Sequence, residues 1–162
     1  MPIAKRLEEW LEASGLPYEI HAHAATANSA QTARRIHAPL DQVAKPVLLA
    51  DEYGYVLALV TAADRVDLDR LGAQLHRELE LAYEAEIDDL FDDCAPGALP
   101  ALGHPWNIPT VYDDALRGLP DVWFEAGDHR EVVHMRGPDY LSLLGSALHG
   151  SFGVALDPDP VR

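Results

Sequence analysis

The sequence contains a single cysteine, Cys94, among 162 residues. A disulfide within the chain and a multi-cysteine zinc site are therefore excluded. Asp92 and Asp93 precede this cysteine, and neighbouring carboxylates raise the pKa of a thiol. These neighbours favour a structural cysteine over a catalytic nucleophile.

Long apolar segments and basic residues are also scarce. No apolar run approaches the ~20 residues that span a bilayer. The amphipathic N-terminus lacks the apolar segment and cleavage site of a signal peptide, which predicts a cytoplasmic location and no membrane partner. Twelve basic residues stand against 27 acidic ones, for a net charge of −15. This charge weakens long-range attraction to nucleic acid, and no DNA partner is expected.

Several common catalytic and cofactor motifs are missing. The chain has no GxxxxGK, GxGxxG, HExxH or GxSxG pattern. Phosphate-cradling loops, a zinc-protease helix and a serine nucleophile elbow are therefore unsupported. The eight histidines occur at irregular spacing, which does not predict a metal site. No metal or cofactor is expected.

The apolar pattern predicts an α+β (mixed α/β) fold. Helices are predicted at 2–14, 27–36, 68–75, 84–91 and 137–144, and strands at 18–22, 43–50, 55–62, 110–112, 122–125 and 131–135. The order lacks a regular βαβ rhythm, which favours a mixed sheet over a doubly wound one. Residues 1–147 are expected to form a single domain. Residues 148–162 are expected to form a poorly ordered tail.

Lys45 is the most unusual residue in the predicted strands. It lies within the apolar strand 43–50, on the same face as Val43 and Val47, where lysine is normally avoided. Such a lysine either extends to a sheet edge or points into a cleft, and the pattern fits both alternatives.

Two loops provide further candidates. Segment 94–109 is rich in glycine and proline, and backbone N–H groups in such a loop can approach a ligand and stabilise an oxyanion. Segments of this composition are more often plain surface loops. The turn Gly127–Asp128–His129 carries groups suited to acid–base chemistry, although a simple hairpin tip is the favoured interpretation.

The order of these segments resembles that of the YbaK/EbsC and ProXp-type aminoacyl-tRNA editing domains, and of the editing insertion of bacterial prolyl-tRNA synthetases. The resemblance covers roughly residues 5–145 and rests on the ordered set of segments. The segments are GLPYEIHAH (15–23), ANSAQTARRI (27–36), VAKPVLLADEYGYVLALVTAADRVDLDRL (43–71), EAEIDDLFDDCAPGALPALG (84–103), PTVYDDAL (109–116), VWFEAGDHREVVHM (122–135) and DYLSLL (139–144). This resemblance implies a mixed, partly closed sheet flanked by helices.

The resemblance also implies a trans-editing aminoacyl-tRNA deacylase that hydrolyses the ester of a mischarged small amino acid, such as alanine or cysteine on tRNA(Pro). Lys45 matches the family lysine at the tRNA 3′-end pocket, and Gly97 matches the first glycine of the loop beside the aminoacyl group. These two are the expected catalytic residues. The expected substrate-binding residues are Pro46, Gly103, Ala126, Gly127 and His129.

A mischarged tRNA is the expected partner, and whether an aminoacyl-tRNA synthetase delivers it stays open. No protein nucleophile is required by the family chemistry. Arg34 and Arg35, on the helix before the lysine strand, are the expected contacts to the RNA backbone. Solvated surface arginines would give the same pattern.

Three departures from the family pattern bear on activity. Pro46 removes a backbone N–H beside Lys45, Ala101 stands where the loop has a proline, and Glu125 places a carboxylate where serine is common. Two other hypotheses therefore remain. One is a diverged, catalytically inactive member that binds a ligand or partner protein, and the other is an unrelated hydrolase of small esters.

Overall fold

The computed structural model describes residues 3–26 and 28–156. The helices in these ranges are α1 Lys5–Ser14, α2 Ser29–Ile36, α3 Leu68–Leu75, α4 Glu84–Leu90 and α5 Gly137–Leu144. The strands are β1 Glu19–Ala22, β2 Ala44–Asp51, β3 Gly54–Thr61, β4 Asp64–Val66, β5 Glu80–Leu81, β6 Thr110–Asp113, β7 Asp121–Glu125, β8 Glu131–Arg136, β9 Leu148–Gly150 and β10 Gly153–Ala155. None of the helices in the described ranges is long and apolar enough to cross a membrane.

Most of these strands belong to two sheets. The larger sheet has the order β5-β2-β3-β6-β9, with an antiparallel β2–β3 hairpin and parallel pairing of β3 with β6 and of β6 with β9. The smaller sheet has the antiparallel order β1-β8-β7. A parallel bridge between Val43 and Trp123 connects the start of β2 to β7. The predicted mixed α/β fold is confirmed.

Local polar contacts define where several elements begin and end. Asn28 caps α2 by accepting a hydrogen bond from the Gln31 N–H at 2.9 Å, and Asp67 caps α3 through the Arg70 N–H at 3.1 Å. The β2–β3 turn is held by Asp51, which accepts two hydrogen bonds of 2.6 Å from Arg77. This bidentate contact lowers the pKa of Asp51 to about 2.

The main core joins residues of both sheets with the helices α1 and α5. Leu7 and Leu11 of α1 and Tyr140 of α5 are fully buried within it. The N-terminal segment is tied to the smaller sheet because the Ala4 N–H donates to the Ala126 carbonyl at 2.8 Å. The predicted amphipathic helix near the N-terminus is therefore present as α1.

The segment after α5 differs from the prediction. Leu148–Gly150 pairs with β6 and Gly153–Ala155 pairs with β4, so the expectation of poor order beginning at residue 148 is wrong as far as Leu156. The physical reason is Asp113, whose Oδ1 accepts hydrogen bonds from the N–H groups of Phe152 at 2.8 Å and Gly153 at 2.7 Å. The rest of the predicted tail, 157–162, lies outside the described residues.

Removal of the Asp113 carboxylate should loosen this segment. We expect Asp113→Ala to lower the free energy of unfolding by about 3 kcal/mol, because charged hydrogen-bond acceptors are lost from backbone N–H groups. Urea denaturation measures the loss, and hydrogen exchange should rise at Phe152 and Gly153. Asp113→Asn, which keeps one carbonyl oxygen, should lose less. Equal losses in the two variants, or unchanged exchange at these amides, would contradict the assignment.

Candidate functional site

A cleft of about 560 Å³ lies where the two sheets meet. Its wall is formed by β2, α4 and the loop after α4, the start of α2 and the end of β7. The lining residues include Lys45, Pro46, Gly97 and Glu125. The structure therefore brings together both expected catalytic residues and a carboxylate from the neighbouring sheet.

Lys45 lies in the cleft wall on β2, a strand that has β5 on one side and β3 on the other. Its Nζ donates a hydrogen bond to the backbone carbonyl of Asp64 at 2.6 Å. Burial lowers the pKa of Lys45, and the Asp64 carboxylate opposes this shift. A lysine ammonium has three N–H donors, so this contact leaves others to meet a ligand. The sequence allowed Lys45 either to extend to a sheet edge or to point into a cleft, and the structure places it in the wall of a cleft.

The loop that carries Gly97 is held against the predicted Gly127–His129 turn. The Ala95 N–H donates to the Gly127 carbonyl at 2.7 Å, and Nε2 of His129 donates to the Pro96 carbonyl. Gly97 has a φ of 79°, a backbone conformation that favours glycine. These contacts fix the position of Gly97 in the cleft wall.

Gly103, Ala126 and Gly127 are not among the described residues that line the cleft. All three are buried. A side chain at Gly103 would collide with Ile108 and Thr110, and one at Gly127 would press on Ala4. Close packing explains these positions, and their contact with substrate stays a prediction.

Arg34 and Arg35 are exposed in the last turn of α2. The first residues of this helix, Asn28 and Ser29, line the cleft. Eight helical residues span about 12 Å. The two arginines therefore lie roughly one helix length from the cleft, and their contact with RNA stays a prediction.

Glu125 at the end of β7 lines the cleft, as a carboxylate at the position where the resemblance leads us to expect serine. It is only 3% exposed, and its Oε2 accepts a hydrogen bond from the Thr32 hydroxyl at 2.6 Å. Its Oε1 is buried and has no hydrogen-bond partner among the described residues. Burial raises the pKa of Glu125, and the Thr32 hydrogen bond and the charges of His23 and His129 oppose this shift.

Two histidines near Glu125 also carry a buried nitrogen without a partner in the described chain, namely Nε2 of His23 and Nδ1 of His129. The other nitrogen of each ring contacts a carbonyl: Nδ1 of His23 lies 2.6 Å from the Ala24 oxygen, and Nε2 of His129 contacts Pro96. A carbonyl only accepts, so the nitrogens that contact Ala24 and Pro96 carry a proton. We call Glu125, His23 and His129 the Glu125 cluster.

Three other potential metal ligands meet across strands β1 and β8. Donor atoms of Glu19, His21 and His134 lie within 4.8 Å of one another, a proximity that the irregular spacing in sequence conceals. Glu19 contacts His21 at 2.9 Å and His134 at 3.0 Å, and these hydrogen bonds, that of His21 first, lower the pKa of Glu19. Their mutual hydrogen bonds explain the arrangement without a metal ion.

Cys94 is not activated as a nucleophile. Burial, followed by the charges of Asp93 and Asp92, raises the pKa of its thiol to about 12. The thiolate is the reactive form of cysteine. The expectation of a structural cysteine agrees with this environment.

The sequence matches the aminoacyl-tRNA editing domain over residues 21–143. The chain belongs to this family. A comparison with curated proteins gave no significant match. The sequence-based identification of an aminoacyl-tRNA editing domain is therefore confirmed.

Solved structures share the fold of this editing domain. A proposed trans-editing enzyme for prolyl-tRNA synthetase is 27% identical, with a TM-score of 0.82 and coverage of 96% of this chain and 99% of that one. A hypothetical protein is 18% identical, with a TM-score of 0.83 and coverage of 93% and 100%. A proposed signal transduction protein from Marinobacter aquaeolei VT8 is 22% identical, with a TM-score of 0.76 and coverage of 97% and 32%.

The buried carboxyl of Glu125 should make stability depend on pH. Burial raises its folded-state pKa above the unfolded value, so its contribution to stability is fully present below the unfolded pKa and is lost as the pH rises through the folded pKa. Glu125→Gln keeps an acceptor for Thr32 and does not ionise. We expect this variant to match the wild type near pH 4 and to exceed it by about 1 kcal/mol at pH 8.

Urea denaturation at several pH values measures this difference. Glu80→Gln is the matched control, because Glu80 is exposed and its replacement should change stability little at any pH. A difference between Glu125→Gln and the wild type that stays constant with pH would show that ionisation of Glu125 does not affect folding.

Proposed function

We propose that this editing domain is a trans-editing aminoacyl-tRNA deacylase, which hydrolyses the ester between a mischarged small amino acid and the 3′ end of a tRNA. Alanine or cysteine on tRNA(Pro) is the expected substrate class. The observation that carries the proposal is the ammonium of Lys45 in the wall of a cleft within an aminoacyl-tRNA editing fold. The 27% identity with a proposed trans-editing enzyme for prolyl-tRNA synthetase supports the same activity.

The chemistry needs a positioned water and donors for the carbonyl oxygen. The water oxygen forms a bond to the ester carbon, the bond to the ribose oxygen breaks, and that oxygen receives a proton as the tRNA leaves. Lys45 holds a phosphate or ribose oxygen of the terminal nucleotide as a cation. Backbone N–H groups near Gly97 stabilise the oxygen on which negative charge develops.

Apolar side chains in the cleft can contact the side chain of the attached amino acid. Leu48, Ile87 and Leu99 supply apolar surface beside Lys45 and Pro46. An added methylene changes binding in such a pocket by only about 1–3 kcal/mol. Selection by size therefore distinguishes small amino acids from bulky ones better than it distinguishes alanine from cysteine.

A second candidate function follows from the charge of the cleft. Glu84, Asp88 and Glu125 line it together with Lys45, so carboxyl groups outnumber the ammonium. Pro46 also supplies no backbone N–H beside Lys45. These features suit a diverged member that binds a ligand or partner protein without hydrolysis, and the deacylation assay separates the two functions.

Deacylation of alanyl- and cysteinyl-tRNA(Pro) tests the proposed function. We expect hydrolysis by the wild type and a loss of 10²- to 10³-fold in kcat/KM for Lys45→Ala, because a charged contact to the reacting end of the tRNA is removed. Lys45→Arg keeps the charge with a different geometry and should retain intermediate activity. Circular dichroism and thermal melting check that both variants are folded.

Two outcomes would contradict this proposal. Absence of hydrolysis by the wild type across a panel of small aminoacyl-tRNAs would favour the binding function. Full activity of a folded Lys45→Ala variant would place the reaction elsewhere. Addition of an aminoacyl-tRNA synthetase to the assay tests whether such a partner delivers the tRNA.

The exposed arginines of α2 should contribute to tRNA affinity. We expect the double variant Arg34→Gln/Arg35→Gln to raise KM about 5- to 10-fold with little change in kcat, and to reduce the slope of log KM against log salt by about 1–2. Lys5→Gln/Arg70→Gln removes the same charge from exposed positions of α1 and α3 and is the control. Equal changes in KM and in the salt slope for the two double variants would mean that tRNA binding depends only on the net charge of the protein.

A further inference from the structure

The Glu125 cluster contains three buried polar atoms without a protein partner, and Glu125 itself lines the cleft. These atoms are Oε1 of Glu125, Nε2 of His23 and Nδ1 of His129, as judged over the described residues. Buried polar groups in proteins are nearly always hydrogen-bonded, and each exception needs an explanation. Glu125 is the one of these three residues that lines the cleft, so a ligand in the cleft can supply the missing partner of its Oε1.

Oε1 of Glu125 is a hydrogen-bond acceptor. The carbonyls of Ala24 and Pro96 occupy the N–H side of each imidazole, and the Thr32 hydroxyl donates to the other oxygen of Glu125. Thr26 in turn lies 2.7 Å from the Thr32 hydroxyl and donates to it. This chain of donors holds the carboxyl in place with Oε1 unused. A group with several N–H donors and a positive charge is complementary to this unpartnered carboxylate oxygen.

The charge of the cleft favours the same kind of ligand. Glu84 and Asp88 line the cleft with Glu125, and the ammonium of Lys45 contacts the Asp64 carbonyl. An aminoacyl ester carries one cation, the α-ammonium, which has three N–H donors. Its phosphates, by contrast, would be repelled at the Glu125 end of the cleft.

We propose that Glu125, flanked by His23 and His129, binds the α-ammonium group of the aminoacyl substrate, and that the site therefore selects esters with a free α-amino group. This inference rests on the proposed deacylase function and assigns Glu125 as a specificity-determining residue. An N-acylated aminoacyl end has lost the cation and two of its three donors, and it leaves the carboxylate unpaired in a buried site, a strong penalty.

The inference also orients the substrate. Val43 and Trp123 form the parallel bridge between β2 and β7, and two residues further along each strand lie Lys45 and Glu125. With the α-ammonium at Glu125 and the terminal nucleotide at Lys45, the ester carbonyl lies between the two, on the side of the Gly97 loop.

A binding experiment with a non-hydrolysable probe tests the inference directly. The probes are 3′-alanylamino-3′-deoxyadenosine, in which an amide replaces the ester, and its N-acetyl twin. Calorimetry or NMR titration at pH 7 gives the Kd of each. We expect the wild type to bind the free amine at least 10-fold more tightly than the acetylated twin. Glu125→Gln should bring the ratio close to one.

Control variants separate recognition from folding. Glu80→Gln, which changes an exposed carboxylate that does not line the cleft, should keep the wild-type ratio. If Glu125→Gln is unfolded by circular dichroism, Glu125→Ser serves in its place, because serine removes the carboxylate and leaves a small polar side chain. It should also bring the ratio close to one.

Several results would overturn the inference. These are equal affinity of the wild type for the two probes, a preference that survives in folded Glu125 variants, or no binding of either probe at millimolar concentration. Deacylation of alanyl- and N-acetylalanyl-tRNA is measured in parallel. Equal losses on both substrates in Glu125→Gln would assign Glu125 to water activation instead. Failure of the wild type to hydrolyse any ester would reject the deacylase function, while the probe preference would still report on the ammonium site.

Discussion

The site depends on the parallel contact between β2 and β7. Val43 and Trp123 form this bridge between two sheets that are otherwise built from different parts of the chain. Side chains alternate along a strand, so residues two positions further on emerge on the same side. Lys45 and Glu125 occupy these positions and both line the cleft. The bridge thus brings a lysine from one sheet and a carboxyl group from the other to the same cleft.

Lys45 and Glu125 differ in the hydrogen-bond partners that the protein supplies. Lys45 has a fixed carbonyl partner at 2.6 Å on β4, so its position is set before any ligand arrives. Glu125 has one oxygen held by Thr32 while the other lacks a partner in the described chain. An incompletely satisfied buried carboxyl costs stability. Such a cost is typical of binding sites, where a ligand supplies the missing contact.

The sequence predicts the helices, the β2–β3 hairpin and the importance of Lys45, because these depend on local patterns and on segment order. It fails for β9 and β10, where three-residue strands are held by Asp113 from 35 or more positions away. The Glu125 cluster is hidden for a related reason. Thr32 contacts Glu125, and His23 and His129 come near enough for their charges to affect its pKa, only after α2 and the smaller sheet assemble. Alternation identified a lysine out of place in a strand, but gave no means to pair distant polar side chains.

Net charge alone is a poor guide to the function of this chain. The total of −15 argues against a nucleic-acid ligand at long range, whereas binding depends on the charges that face the substrate. An aminoacylated 3′ end is itself bipolar, with phosphates at one end and an ammonium at the other. A cleft with Lys45 on β2 of one sheet and Glu125 on β7 of the other is bipolar in the same sense. Acidic residues near the aminoacyl end are therefore compatible with editing, provided that the tRNA body meets the exposed arginines of α2 and not the acidic surface.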